Sequence, residues 1–293
     1  MRNLNEDTIT QAVLASLSGC GDARLRTVMT SLVQHLHAFA RDVKLSEDEW
    51  FAAIRFLTAV GHITDDKRQE FILLSDVLGL SMLVTAQNNA KPAGCTESTV
   101  FGPFYVEGSP GYENGADISN GAQGQPCFVR GRVLDLAGMP VPHASIEAWQ
   151  ADECGHYDVQ TPACDGEHVH RARGHLRTDD DGRFWFRSIL AEPYPIPHDG
   201  PVGAMLEALG RHPWRPAHLH FMVTAPGCET LITHVFRNGD RYLDSDAVFG
   251  VRSTLVADWV PHPPGIAPDG KPIETPYYTL DFDFVLSRAR EAQ

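Results

Sequence analysis

The chain has 293 residues, 43% hydrophobic and 21% charged, with a formal net charge of −14. That length suits one large domain or two ordinary ones, and the apolar content builds a core, which excludes wholesale disorder. Thirty-eight acidic residues against 24 basic ones argue against nucleic acid or anionic lipid as partner, because both need a basic face.

The opening residues MRNLNEDTIT are polar and acidic, so no signal peptide is expected. No apolar run approaches the roughly 18–20 residues of a membrane helix, and a soluble, cytoplasmic protein is expected. Six cysteines (Cys20, Cys95, Cys127, Cys154, Cys164 and Cys228) are scattered through the chain. Disulfide frameworks belong to small secreted domains, so reduced thiols are the better reading.

Proline and glycine divide the chain near residue 100. Residues 1–99 hold one of 20 prolines and five of 25 glycines, which permits long helices first and a turn-rich region afterwards. In 22–43, Leu25, Val28, Met29, Leu32, Leu36 and Phe39 step by three and four, forming one apolar stripe. Ser46 and Glu49 make a capping box that opens a helix through Val60, with Gly61 as a stop. A further helix is expected from about Asp65 to Thr85. These helices are too apolar to cover one another fully, which points to a subunit interface as well as a core.

After residue 100 come short β-branched and aromatic runs: 127–135, 144–150, 183–189, 218–225, 230–236 and 277–285. Asp181-Gly182 between extended segments is a strong hairpin signal. The expected class is α+β, with a helical domain over 1–99 and an antiparallel β-sandwich over 100–293.

The chemistry concentrates in Arg215-Pro216-Ala217-His218-Leu219-His220. Alternate side chains of a strand share a face, so His218 and His220 point together, away from Ala217, Leu219, Phe221 and Val223. They are either a pair of metal ligands or two ordinary histidines on a half-buried strand. A rival group, Cys154, His156, Cys164, His168 and His170, lacks the tight Cys spacing of a structural zinc site.

Two tyrosines qualify the choice of metal. Tyr157 follows Gly155-His156 at a strand end, and Tyr194 lies among three stiffening prolines, Pro193, Pro195 and Pro197. A phenol titrates near 10, so it ligates only where a strong Lewis acid stabilises the phenolate, and ferric iron suits it better than zinc. Taken singly, each tyrosine is also an ordinary amphipathic residue at a core edge.

Across nearly its whole length the sequence resembles the intradiol ring-cleavage dioxygenases, non-haem Fe(III) enzymes that open catechols between their hydroxyls. The resemblance is carried by Val129-x-Gly131-x-Val133, Gly138, Val141, Ile146-Glu147, Gly155-x-Tyr157, Glu192-Pro193-Tyr194 and Arg215-Pro216-Ala217-His218-x-His220. It implies Tyr157, Tyr194, His218 and His220 as iron ligands, and Arg215 as the cation beside the substrate. It also implies that Tyr194 leaves the metal and takes a proton when the catechol binds as a dianion, before O2 attacks a ring carbon. A homodimer joined through the N-terminal helices, sometimes holding a phospholipid, is part of the same implication.

The region 68–85 bears on substrate choice. Asp76 has Ile72, Leu73, Gly79 and Leu80 at helical spacing, so it lies on an apolar stripe, where a carboxylate is costly unless paired. It is either an edge residue met by water or an arginine, or an acceptor for a polar substrate group. The runs 73–82 and 97–105 resemble the hydroxyquinol 1,2-dioxygenase branch, which cleaves benzene-1,2,4-triol to 3-hydroxy-cis,cis-muconate, the tautomer of maleylacetate. That resemblance implies that Asp76 reads the third hydroxyl. It also implies that Leu73, Val100, Phe101, Gly102, Pro103, Phe104, Ile196, Pro197 and Val248 wall the ring. The chain departs from catechol-cleaving relatives at His234, near a position where they tend to carry glutamine. The competing expectations are a catechol or chlorocatechol 1,2-dioxygenase, a non-catalytic β-sandwich binding module, and a zinc hydrolase, which lacks a placed third ligand or glutamate base.

Overall fold

The computed structural model describes residues 2–65, 68–160 and 169–289. The chain forms two compact units, 1–62 and 63–293. No single helix among the described residues is long and apolar enough to cross a membrane.

The first unit is helical, over Ile9–Ser16, Ala23–Asp42 and most of Glu47–Ile63. Asp22 caps the second helix by accepting from the backbone N–H of Arg24 and Leu25 at 2.8 and 2.9 Å. The Ser46–Glu49 box forms in both directions, with Glu49 N–H on Ser46 Oγ and Ser46 N–H on Glu49 Oε2. Gly61 does not stop this helix, which runs on to Ile63. The apolar stripe Leu25, Val28, Leu32, Leu36, Phe39 is exposed along its length.

The helix expected over 65–85 is two helices, Glu70–Val77 and Leu80–Asn88, bent by 80°. Gly79 between them sits at φ 74°, a left-handed conformation that ends one helix and that glycine adopts without steric cost. Apolar periodicity continues through the break, so the pattern alone reads as one helix.

The rest of the second unit is built on two five-stranded sheets packed face to face, with two two-stranded ribbons and a helix, Pro201–Ala208, beside them. One runs Trp259–His262, Tyr277–Asp281, Pro126–Asp135, Phe284–Leu286, with Arg183–Ile189 also pairing to Pro126–Asp135. The other runs Arg173–Arg177, Ser145–Trp149, His218–Thr224, Leu231–Arg237, Val256–Ala257. Val129, Val133, Phe184 and Phe186 of the first sheet share a core with Ile146, Ala148, Leu219, Phe221 and Val223 of the second. At about 1.5–3 kcal/mol per buried large side chain, this interface supplies most of the sandwich's cohesion.

The sandwich corrects three expectations. It is mixed rather than strictly antiparallel, because Pro126–Asp135 pairs in parallel with Tyr277–Asp281 and Phe284–Leu286, and Leu231–Arg237 in parallel with Val256–Ala257. The last two strands also replace a single expected run, 277–285. The Asp181-Gly182 turn is tight, with Gly182 N–H on Asp179 O at 3.0 Å, but it does not close a hairpin. Its flanking strands, Arg173–Arg177 and Arg183–Ile189, belong to different sheets, so the turn carries the chain between layers.

Candidate active site

The strand His218–Thr224 is buried on both faces. Leu219, Phe221 and Val223 enter the sandwich core, while His218 and His220, 2% and 1% exposed, point into a second buried zone on the opposite face. They are therefore not surface histidines. The register sets their neighbours: His220 lies opposite Trp149 on one side and His234 on the other, and His218 opposite Phe236. The Trp149 ring stacks on His220 at 4.8 Å, and His234 meets His220 edge-on at 4.2 Å.

Each tyrosine reaches the histidines by its own device. Gly155, at φ 82°, lets the 155–157 turn pass so close to Tyr194 that a Cβ there would stand 2.7 Å from Tyr194 Cβ. Tyr157 N–H then donates to Gln160 Oε1 at 2.8 Å. Behind it Arg173 forks onto Asp158, with Nη2 on Oδ1 at 2.7 Å, and reaches the Phe104 carbonyl at 2.7 Å. Tyr194-Pro195 forms a two-residue ribbon with Trp214-Arg215, Tyr194 opposite Arg215. The ribbon and the histidine strand are separate, with Pro216-Ala217 between them. That break turns the Arg215 head back onto the histidines.

Four donor atoms converge. Tyr157 Oη lies 2.9 Å from His220 Nε2 and 3.3 Å from Tyr194 Oη, and His218 Nε2 lies 3.2 Å from His220 Nε2. Arg215 Nη1 approaches Tyr194 Oη at 3.4 Å and His218 Nε2 at 3.3 Å. His218 Nδ1 is 2.7 Å from the Pro216 carbonyl, which fixes the proton on Nδ1 and leaves the Nε2 lone pair facing the cluster.

The electrostatics favour uncharged histidines. Burial first, then the charge of Arg215, pushes the His218 imidazole down to about 3. Burial, His218 and Arg215 also hold His220 well below its ordinary range. Burial, reinforced by Tyr194, pushes the Tyr157 phenol well above its ordinary range. A phenolate forms here only beside a strong positive charge. Neutral imidazoles beside two phenol oxygens form a donor set suited to a hard metal ion. Among the described residues, one cluster of three or more His, Cys, Asp or Glu side chains could hold a metal: His218, His220 and His234.

Of the residues expected to meet the ring, Leu73, Asp76, Val100, Ile196 and Val248 are buried. Phe104 stacks on Tyr157 at 4.3 Å, Phe101 packs against Tyr105 at 4.4 Å, and a Cβ on Gly102 would lie 3.2 Å from the His220 ring. Pro197 is half-buried and Pro103 exposed. Burial raises the Asp76 carboxyl, and Ser81 and the charge of Arg215 partly offset this, while Asp246 adds to it. The Ser81 hydroxyl is backed by Ser75 at 2.9 Å, a contact made possible by the bend at Gly79.

Two ion pairs escaped the sequence reading, and so did the place of His234, which stood out there only as a departure from relatives. Asp246 pairs with Arg215, Nε to Oδ1 at 3.1 Å, with both side chains buried. Its sequence context gives no sign of this, because the partners lie 31 residues apart. The Arg173–Asp158 fork behind Tyr157 is equally silent. His234 joins the histidines because it shares strand parity with them across a hairpin, which the facing runs 218–225 and 230–236 carry in their alternation. Of the rival group, Cys164 and His168 lie outside the described residues, Cys154 and His156 are exposed, and His170 Nδ1 stands 3.6 Å from Asp158.

Comparison with known proteins agrees with this geometry. Residues 100–287 match the family described as "Dioxygenase", and residues 22–96 that described as "Catechol dioxygenase N terminus". The chain is 59% identical to a 6-chlorohydroxyquinol 1,2-dioxygenase of Cupriavidus pinatubonensis, over 98% of this chain and 99% of that one. It is 53% identical to a hydroxyquinol 1,2-dioxygenase of Nocardioides simplex, over 97% and 96%. The crystal structure of a hydroxyquinol 1,2-dioxygenase from Pseudomonas putida superposes with a TM-score of 0.90 at 44% identity, covering 97% of this chain and 99% of that one.

Proposed function

The chain belongs to the intradiol ring-cleavage dioxygenases, in the branch of the hydroxyquinol 1,2-dioxygenases, and on that premise we propose that it cleaves hydroxyquinol with O2 to 3-hydroxy-cis,cis-muconate. The observation that carries the reading is the convergence of two phenol oxygens and two imidazole nitrogens in one buried site.

Tyr157, Tyr194, His218 and His220 would hold the metal. The residues fit it: a phenol raised by burial ionises only beside a strong charge, His218 already turns the Nε2 lone pair inward, and His220 Nε2 faces the same point. Fe(III), as a hard Lewis acid, would draw electron density from a bound catecholate ring and open the ring carbon to O2.

The chain's own groups supply the rest. Tyr194 Oη, 3.4 Å from Arg215 and 3.3 Å from Tyr157 Oη, receives a proton released as the substrate hydroxyls ionise. Arg215 stabilises the negative charge that develops on the ring oxygens, and it is already oriented before substrate arrives. Phe104, stacked on Tyr157, keeps water from that side. Asp76 accepts a hydrogen bond from the third hydroxyl, so a diol leaves its carboxylate without that partner.

The 59% identity to a 6-chlorohydroxyquinol enzyme favours a second reading, in which the ring wall admits a chlorinated triol. Turnover of hydroxyquinol, 6-chlorohydroxyquinol and catechol under one set of conditions distinguishes the readings. A colourless protein that stays colourless after Fe(III) loading would sink both, because tyrosinate on ferric iron absorbs visible light.

The exposed stripe Leu25–Phe39 is the surface through which the chain pairs with a second copy. It is also where a phospholipid chain would be held, and mass spectrometry of an organic extract tests that. The free state of Cys20, Cys95, Cys127, Cys154 and Cys228 accords with a cytoplasmic setting.

A further inference from the structure

We propose that Asp246 is a positioning residue that ties the substrate-side cation Arg215 to the ring wall at Val248, so that one carboxylate sets both the charge and the width of the substrate site. The proposal rests on the reading that Arg215 and Val248 meet the substrate.

A carboxylate offers about four acceptor positions, and Asp246 uses them in a symmetrical way. Oδ1 accepts from Arg215 Nε at 3.1 Å and from Val248 N–H at 3.2 Å. Oδ2 accepts from Arg215 Nη2 at 3.4 Å and from Gly250 N–H at 2.9 Å. Each oxygen therefore holds one guanidinium N–H and one backbone N–H of the 248–250 loop. Neither side of this bracket moves without pulling on the other, because a buried charge stripped of its partner is costly.

The loop needs such a bracket. Phe249, between the two bound N–H groups, sits at φ 59°, a conformation that a bulky residue keeps only where its surroundings over-determine it. Asp246 holds the residues on both sides, and its carbonyl accepts from Phe249 N–H at 3.1 Å. Gly250 eases the close approach: a Cβ there would stand 3.0 Å from Arg215 Nη2 and 3.1 Å from Asp246 Oδ2, tighter than ordinary contact.

The arginine side of the bracket faces the site. With Nε and Nη2 on Asp246, Arg215 directs Nη1 at Tyr194 Oη and His218 Nε2. Burial opposes the Asp246 charge, but Arg215 and the two loop N–H groups outweigh it and hold the carboxyl below its ordinary range. A neutral amide of the same shape keeps one acceptor oxygen but sets an NH2 group against Arg215 Nη2 and Gly250 N–H, which loosens both the cation and the loop.

The experiment compares wild type with Asp246→Asn, Gly250→Ala, Val248→Ala and Arg215→Gln, as full-length, iron-loaded protein. Two readouts are taken: the visible tyrosinate band of the resting enzyme, and the kcat/KM ratio of 6-chlorohydroxyquinol to hydroxyquinol. Asp246→Asn is expected to shift the band, since Arg215 no longer addresses Tyr194, and to change the ratio several-fold. Hydroxyquinol kcat/KM should fall about 10- to 100-fold, the usual cost of losing an outer-shell partner. Gly250→Ala, which crowds the pair without removing charge, should move both readouts the same way by less. Val248→Ala should change the ratio and leave the band in place.

Band and ratio both unmoved in Asp246→Asn and Gly250→Ala, whatever their melting temperatures, would overturn the proposal and leave Asp246 a structural residue. If Asp246→Asn fails to fold, Gly250→Ala decides alone. An Arg215→Gln enzyme with wild-type kcat/KM would instead remove the functional reading on which the proposal rests. A crippled Arg215→Gln beside unmoved Asp246→Asn and Gly250→Ala would remove the proposal only.

Discussion

In the β-sandwich unit, Arg215, Asp246, His218, His220 and His234 are all buried. In the helical unit, Leu25, Val28, Leu32, Leu36 and Phe39 stand 44–57% exposed. One region hides groups that water would welcome, and the other shows groups that water repels. Buried polar groups are costly unless they have partners, and contiguous exposed apolar surface is uncommon on proteins that act alone. Under the proposed function each inversion has its own counterpart: a cation for the buried donors, and a second copy for the exposed stripe.

The two inversions can be tested separately. The largest effect is expected from His220→Ala, which removes a donor from the convergent set. Iron content, measured by metal analysis, and the visible band should both collapse, and retention of both would make the buried polar zone merely structural. Next, Arg215→Gln should lower kcat about 10²- to 10³-fold, the usual scale for one group that stabilises developing charge. Steady-state kinetics on hydroxyquinol check this, and an unchanged kcat would leave Arg215 outside the reaction.

Asp76→Ala should lower the hydroxyquinol-to-catechol ratio of kcat/KM about 10- to 100-fold, the worth of one hydrogen bond to a charged acceptor. An unmoved ratio would return Asp76 to an ordinary edge carboxylate. On the other side of the comparison, Leu32→Asp with Leu36→Asp should convert a dimer to a monomer in light scattering and leave the iron band in place. A wild type already monomeric would remove the need for a partner surface.

The smallest effect concerns acid. The folded Asp246 carboxyl is held below its ordinary value, so its ion pair stabilises the fold above the unfolded pKa of about 3.9 and loses that contribution as pH falls through the lower, folded value. Melting temperature against pH should therefore decline less steeply on the acid side in Asp246→Asn than in wild type. Parallel curves would mean that the carboxyl is not held down.

What was legible from residues alone was local. The alternation His218-Leu219-His220 repeats every second residue, and the capping box at Ser46 and Glu49 spans four, so short windows reveal both. Sandwich strands showed themselves by β-branched and aromatic runs for the same reason. The boundary at Gly79 was hidden because apolar spacing persists across it, and only the backbone sign at that glycine breaks the helix. The parallel pairing of Pro126–Asp135 with the last strands is an encounter between chain segments about 150 residues apart, on which no local window bears. Asp246 belongs to the same class: its chemistry depends on a guanidinium and two amides that only the finished fold delivers.

The strand His218–Thr224 has one further consequence. Being buried on both faces, it cannot tolerate a shift of register by a single residue. Such a slip would send Leu219 and Phe221 toward the donor cluster and His218 and His220 into the hydrocarbon core, losing adhesion and ligation together. One register therefore serves adhesion and donor geometry at once, and a chain that closes this sheet wrongly gains neither a stable sandwich nor the convergent donor set.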